Sequence, residues 1–266
     1  MKIRLISIIV AIFALSLAAG WGCNGVLTDI EPGSTFNYNL TGALIQDPNR
    51  DSSIVIVKLK RDDADYVIAN MSFGGDILLF SPLKYGFDSV FSSSKSRTSG
   101  YSATQMNLIM DDSPFLTDTA FVAVVGSFLI DTGSITPFTR IIQGTGSVSF
   151  DWSGSANAGG YVIVAVKADS AYKGQGYSAV LNVNFLSGTI PADAFVLPVT
   201  SEPDTGLYNL YVYSISGSPD SAMTRMLLPT PLPSQYTNNI VDGKFTGHFG
   251  SIEVSLLDTV RVVIIP

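Results

Sequence analysis

From Phe36 onward the chain is a succession of short runs in which apolar and polar residues alternate, separated by turn clusters, with no helical 3.6-residue pattern longer than a turn or two. A chain written this way folds as strands. In Ile54–Lys60, Val55, Val57 and Leu59 share one face while Lys58 and Lys60 share the other, which predicts a half-buried strand. Arg61–Asp65 reads as a charged turn, Tyr66–Phe73 as a strand, Gly74-Gly75-Asp76 as a tight turn and Ile77–Phe80 as the return strand of a hairpin. Gln105–Met110 and Phe121–Val125 add two more strands, with Ser92–Ser102 expected as a long mobile loop. The Gly, Thr, Ser and Pro cluster at Asp131–Pro137 is expected to separate two domains, 34–135 and 136–266.

The first 22 residues read as a cleaved secretory signal. Lys2 and Arg4 precede a nearly unbroken apolar run from Leu5 to Ala19, about 15 residues and short of the roughly 20 that span a bilayer as a helix. The run ends at Cys23, the sole cysteine, so no disulfide is available within the chain and stability must come from packing. Residues 23–33 carry no periodic pattern and end in Pro32-Gly33, which suits a tether of up to about 35 Å.

Removal of Lys2 and Arg4 takes the formal charge from −7 to −9, which disfavours nucleic acid and anionic headgroups as partners. With 46% hydrophobic residues and 14% charged, the mature chain can bury real cores and is not a disordered tail.

A lone cysteine after a small residue, Gly22, at the end of an export signal resembles the lipobox of bacterial lipoproteins, although Gly20 and Trp21 depart from the usual pattern before it. The resemblance implies acylation of Cys23 and, with Asn24 after it, residence in the outer membrane of a two-membrane cell. The alternative is an ordinary cut after Ala19 or Gly22 that leaves a free thiol. Strand, acidic turn, strand, glycine turn and strand in the first half are similar to immunoglobulin-like sandwich domains. In the second half, Val148–Trp152, Tyr161–Val166 and the later turn into Leu207-Tyr208-Asn209-Leu210-Tyr211-Val212-Tyr213-Ser214 resemble the fibronectin type III domain. That resemblance implies that Trp152 fills the core and that Tyr208 sits at a strand corner with its hydroxyl on nearby backbone. The expected fold is therefore all-β, two consecutive antiparallel β-sandwiches, the second interrupted by a proline-rich excursion at 218–250 that is expected to be a long loop rather than an extra hairpin.

No catalytic constellation stands out. Hydrolytic triads and histidine metal sites need imidazole, and His248, in a turn-like Thr-Gly-His-Phe-Gly, is the only one and is expected to be solvated. Asp47-Pro48-Asn49-Arg50-Asp51 opens like a calcium loop, but Ser52 replaces the required glycine and Lys58 the bidentate glutamate, so a turn held by Asx hydrogen bonds is expected. Asp62, Asp63, Asp65, Asp111 and Asp112 would form a calcium site only if their turns meet; solvated turns are the plainer expectation. Tyr172, Tyr177, Tyr85 and Phe87 are the aromatics left for sugar stacking, with rim packing as the alternative. Tyr236, Phe245 and Phe249, in the excursion, are expected to supply a partner-binding patch. No cofactor or metal is expected. The sequence thus describes a non-catalytic envelope lipoprotein that touches the membrane through its lipid and an envelope protein or polysaccharide through its loops; a carbohydrate-binding module and a hydrolase with a carboxylate pair are the alternatives.

Overall fold

The computed structural model describes residues 36–87, 89–102, 104–143, 146–169, 176–233, 239–240 and 245–264. The expected signal, Cys23 and tether lie outside them, as do Tyr172 and Tyr236. The strands are β1 (Tyr38–Asp47), β2 (Ser52–Arg61), β3 (Ala64–Asp65), β4 (Asn70–Phe73), β5 (Asp76–Ser81), β6 (Val90–Lys95), β7 (Gln105–Asp112), β8 (Leu116–Ala123) and β9 (Ile130–Thr136). They continue with β10 (Ile141–Gln143), β11 (Val148–Trp152), β12 (Gly160–Lys167), β13 (Tyr177–Asn182), β14 (Ser187–Ile190), β15 (Gly206–Gly217), β16 (Phe245–Val254) and β17 (Asp258–Val263). One helical turn, α1 (Ser221–Thr224), starts at Asp220, whose carboxylate accepts from the backbone N–H groups of Ala222 and Met223.

Fourteen strands form one sheet in the order β10-β17-β15-β16-β1-β2-β6-β5-β4-β7-β8, with β12 and β13 continuing from the other edge of β15 and β3 beside β2. A second sheet runs β14-β11-β9. The fold is all-β, and the small sheet packs face to face on the large one as a sandwich. In the first half, the Gly74-Gly75 turn has φ of 56° and 89°, which only a primed two-residue turn requires, and it joins β4 to β5 as the sequence predicts. β5 then changes partner: Ile77 and Leu78 pair with β4, Leu79 to Ser81 with β6, so the sheet bends over its own interior.

In the second half β11 and β14 lay Val148, Phe150, Trp152 and Ile190 against Tyr161 and Ile163 of β12 and Tyr208, Leu210 and Val212 of β15. Trp152 is 3% exposed and packs its ring 5.5 Å from that of Tyr161. The Tyr208 hydroxyl donates to the Asp204 backbone carbonyl at 3.1 Å and lies 2.8 Å from the Asp204 carboxylate. Core tryptophan and corner tyrosine thus stand as the fibronectin resemblance implies.

The sequence reading goes astray in four places, for physical reasons. β2 is not half-buried along its length: Ser53 to Val57 are buried on both faces, and only from Lys58 does one face meet solvent. Ser92–Lys95, expected as loop, is most of β6, because serines pair with β2 backbone as well as any residue and Ser92 is 2% exposed. The expected break at Asp131–Pro137 is not a linker but strand β9, paired with β11. The 218–250 excursion is not one long loop: its end, from Phe245, is β16, which inserts beside the last five residues of β15 and pairs in parallel with β1 over nine positions. The two expected sandwiches therefore share one sheet, and residues Asn37–Pro266 form one compact unit.

Sharing creates a third core. Ala43, Ile45, Ile54 and Ile56 of the first half lie with Val162, Val164, Val166, Tyr211, Tyr213, Ile252 and Val254 on the opposite face of the sheet, under Met223, Leu227, Leu228 and Leu232. β12 is thus buried on both sides, which is why it reads as an unbroken Val-Ile-Val-Ala-Val run rather than an alternating one. Close approach of β1 and β16 demands glycine. A Cβ on Gly247, at φ +145°, would meet the Leu40 carbonyl oxygen at 1.8 Å, and one on Gly42 the Ile56 carbonyl at 2.6 Å.

Two substitutions test this account. Trp152→Ala should destabilise by about 3–5 kcal/mol in denaturant titration; a stable, soluble variant would show the ring is not core. Gly247→Ala should abolish the cooperative thermal transition, because the obstructing atom is backbone and cannot swing away; a native-like transition would contradict the β1–β16 register.

Candidate functional site

Strand β16 reads Gly250-Ser251-Ile252-Glu253-Val254. Its alternation sends Ile252 and Val254 to the third core and turns Ser251 and Glu253 to the opposite face. Register places Ser53, Gln46, Glu253 and Ser214 side by side across β2, β1, β16 and β15. All four are buried, between 0% and 2% exposed. They form a polar row on the same sheet face as Phe249, which stacks on Phe73 at 5.6 Å, and as Leu210 and Val212 of the fibronectin-like core. The row is a seam between two apolar cores.

Each member of the row carries an atom with no hydrogen-bond partner: Ser53 Oγ, Gln46 Oε1, Glu253 Oε2 and Ser214 Oγ. Buried polar atoms are paired in the great majority of folded proteins, and these four stand in register, while Ser92 Oγ, Trp152 Nε1 and Thr230 Oγ1 are further unpaired atoms elsewhere. Arg97, from the turn after β6, donates from Nη2 to Glu253 Oε1 at 2.9 Å, and its buried Nε has no partner. Burial pushes the Glu253 carboxyl up, and the Arg97 guanidinium pulls it only part of the way back, so it stays above the ordinary glutamate range.

A cavity of about 210 Å³ lies against Gln46 and Arg97, walled by Tyr101, Thr104, Val125 and Ala156. Its rim is tied together by side chains. Asn157 donates to the Thr104 and Val124 carbonyls at 2.8 and 2.9 Å, and Ser155 Oγ to the Gly126 carbonyl at 2.6 Å. Ser251 Oγ donates to the Ala123 carbonyl at 3.0 Å and accepts from the Val125 N–H at 2.9 Å, which fixes the end of β8 to β16. Lys95 lies 3.8 Å over the Tyr101 ring and 2.6 Å from the Asp76 carboxylate, which its hydrogen bond holds below the usual range. The lining is mixed polar and apolar and carries the Arg97 guanidinium, whose Glu253 partner lies outside it.

The residues singled out from sequence fall elsewhere. Phe245 and Phe249, expected on a docking surface, are each 1% exposed and belong to the interior, because β16 is a central strand and its odd-numbered residues face a core. His248 is not a solvated loop residue: it stands on β16 with Nδ1 3.1 Å from the Ser218 carbonyl and Nε2 3.9 Å from the Asp220 carboxylate. Asp47 forms the expected Asx turn, accepting from the Asn49 N–H at 2.9 Å and Arg50 Nε at 2.8 Å. The turn also works as a clasp, since Asn49 reaches the Ser255 carbonyl and the Leu257 N–H, and Arg50 the Leu227 carbonyl.

Asp112 is 6% exposed and is held by Tyr38, Tyr66 and Arg61, with both phenols pushed up to about 12 by burial and by that carboxylate. Asp111 caps the next turn through the Ser113 N–H and Thr117, while Asp62 accepts from the Asn37 N–H. Among the described residues no group of three or more His, Cys, Asp or Glu is placed to hold a metal ion. Tyr85, Phe87 and Tyr177 are partly buried against the cores, as rim aromatics. Gln46, Arg97 and Glu253 were not singled out by sequence reasoning, and the available signal was the Ser-Ile-Glu-Val-Ser alternation, which puts an acid in line with serines on one face.

No family description matches this chain, and no curated protein matches it by sequence. Among solved structures, it is similar to the chicken CNTN1 FN1-FN3 domains, with 11% identity and a TM-score of 0.26, over 84% of this chain and 63% of that one. It is also similar to DIP-gamma IG1+IG2, with 8% identity and a TM-score of 0.22 over 81% and 97% of the two chains. Dpr11 IG1 bound to DIP-gamma IG+IG2 gives 7% identity and a TM-score of 0.21, over 81% and 98%. Likenesses this slight carry no functional argument; the sandwich assignment rests on strand order and packing.

The raised Glu253 carboxyl gives a signed pH effect. A folded pKa above the unfolded one means the native state holds the proton more tightly. This stability is present at acid pH and is lost as pH rises from the ordinary glutamate value of about 4.3 through the folded one. Glu253→Gln lacks that loss, so its melting temperature relative to wild type should be more favourable at pH 7 than at pH 4, by roughly 2–4 °C for each kcal/mol of coupling. A difference that shrinks as pH rises would mean the Arg97 pairing outweighs burial.

Proposed function

We propose that this protein is an exported, lipid-anchored, non-catalytic binding module of a bacterial cell envelope, held at the outer membrane through Cys23. The observation that supports binding is the seam cavity. Gln46 and Arg97 are among its lining residues, and Arg97 is held in place by the Glu253 carboxylate at 2.9 Å behind the lining. A rim whose carbonyls are already tied by the Asn157 and Ser155 side chains is pre-organised, which suits recognition. All-β sandwich domains commonly serve as such modules, with loops at their ends as the contact surface.

Anchoring is supported by the apolar signal that stops at the sole cysteine. A single acyl chain gives only marginal membrane attachment, and several give a stable one. Mass spectrometry of membrane-extracted protein should find an acylated N-terminal Cys23, and Cys23→Ser should move the protein to the soluble fraction. An unmodified mature N-terminus at another residue would end the anchoring part of this reading.

A further inference from the structure

The sandwich of the second half has one open side. Among the described residues β13 pairs with β12 alone and β14 with β11 alone, so the chain passes from an edge of the large sheet to an edge of the small one through the turn Asn182–Leu186. An open edge presents a row of unpaired N–H and C=O groups, ready to pair with any strand that arrives, and folded proteins guard such rows with charge, proline, bulges or brevity. Most edges here are guarded. β8 carries Asp118, β9 carries Asp131 and faces a register shift in β11, β3 has two residues, β10 three and β14 four. β13 has none of these devices: Tyr177-Ser178-Ala179-Val180-Leu181-Asn182 runs six residues without charge or proline, in unbroken register against β12.

The side chains along this edge are apolar as well. Tyr177, Ala179 and Leu181 are partly buried against the core, whereas Val180 is 41% exposed and Val183, Phe185 and Leu186 of the following turn are exposed with it. From Gly174 to Ala192 the sequence contains no Asp, Glu, Lys, Arg or His, the longest such stretch after the N-terminal apolar run. The chain as a whole has a formal charge of −7, so two copies repel across most of their surfaces and meet without opposed like charges along this side. The occupant that suits such an edge is an uncharged strand, and β13 is itself one. Antiparallel pairing of a strand with its own copy is closed by a two-fold axis, which gives both copies the same contact and leaves no β13 edge for a third.

We propose that the protein self-associates as a two-fold dimer in which β13 of one copy pairs antiparallel with β13 of the other, joining the two large sheets into one. This goes beyond the reading of the chain as a binding module and stands whether or not Cys23 is acylated. The contact is one short ladder flanked by a few apolar side chains, smaller than an obligate interface, so the dimer is reversible, with a Kd on the order of 100 μM or tighter.

The test is analytical ultracentrifugation of the full mature chain carrying Cys23→Ser, so that neither an acyl chain nor an intermolecular disulfide mimics association. Between about 5 μM and about 1 mM, the upper limit lying tenfold above that Kd, the mass should rise from one chain towards two and no further. Over the same series hydrogen exchange in the segment 177–182 should slow as the dimer forms. Val180→Lys sets a charge of the same sign on the edge of each copy, at an exposed position, and should raise the Kd at least about tenfold. The exchange measurement on the unsubstituted strand keeps the test decisive if that variant does not fold. A single-chain mass up to about 1 mM would overturn the proposal and leave the edge to a strand of another protein. So would a dimer that Val180→Lys leaves as tight, or one that forms without slower exchange in 177–182, because either puts the contact elsewhere. Growth beyond two chains would overturn it as well, since a two-fold pairing closes on itself.

Discussion

Everything in this protein hangs on the parallel pairing of its first described strand with its next-to-last, Tyr38–Gln46 beside Phe245–Glu253. Parallel partners cannot be joined by a tight turn, and here nearly the whole chain serves as the connection. The pairing inserts β1 and β16 between two sandwiches that would otherwise be separate. It makes one sheet of them, brings Ile45 and Ile252 into a common core, and sets Gln46 next to Glu253. The glycines at 42 and 247 are the sequence cost of that contact, since a methyl group at 247 would strike the Leu40 carbonyl and one at 42 the Phe249 ring.

How much of this could be seen in the sequence depends on how local the determining physics is. The β4–β5 hairpin was legible because two consecutive glycines with positive φ have few other uses. Trp152 and Tyr208 were legible because a fibronectin-like core leaves a characteristic spacing of aromatics along alternating strands. β16 was not, because a strand that must approach its neighbour closely is written Phe-Thr-Gly-His-Phe-Gly, and glycine there looks like a turn. With β16 misread, Phe245 and Phe249 were set on a surface when alternation in a central strand turns them inward. The seam was illegible for a further reason: Gln46, Arg97 and Glu253 are scattered over more than 200 positions, and only the β1–β16 register unites them.

The seam also shows how a chain of modest charge spends its few ionisable groups. Asp51, Asp112, Asp204 and Asp258 are each tied to an arginine, lysine or hydroxyl distant in sequence. These pairs fix loops to strands, and the pair at Glu253 differs from them in having an oxygen left without a partner. In a fold without a disulfide, such clasps take over part of the positioning that a cross-link would otherwise supply.

The place of β1 in the sheet carries a mechanical consequence. The strand is bonded along both edges, antiparallel to β2 over ten positions and parallel to β16 over nine. The inter-strand hydrogen bonds lie across the strand axis. Tension entering from the N-terminus therefore loads both ladders in shear, with many bonds strained at once, instead of opening them one at a time like a zip. A strand clamped on two sides is the arrangement that resists being drawn out of its own sheet.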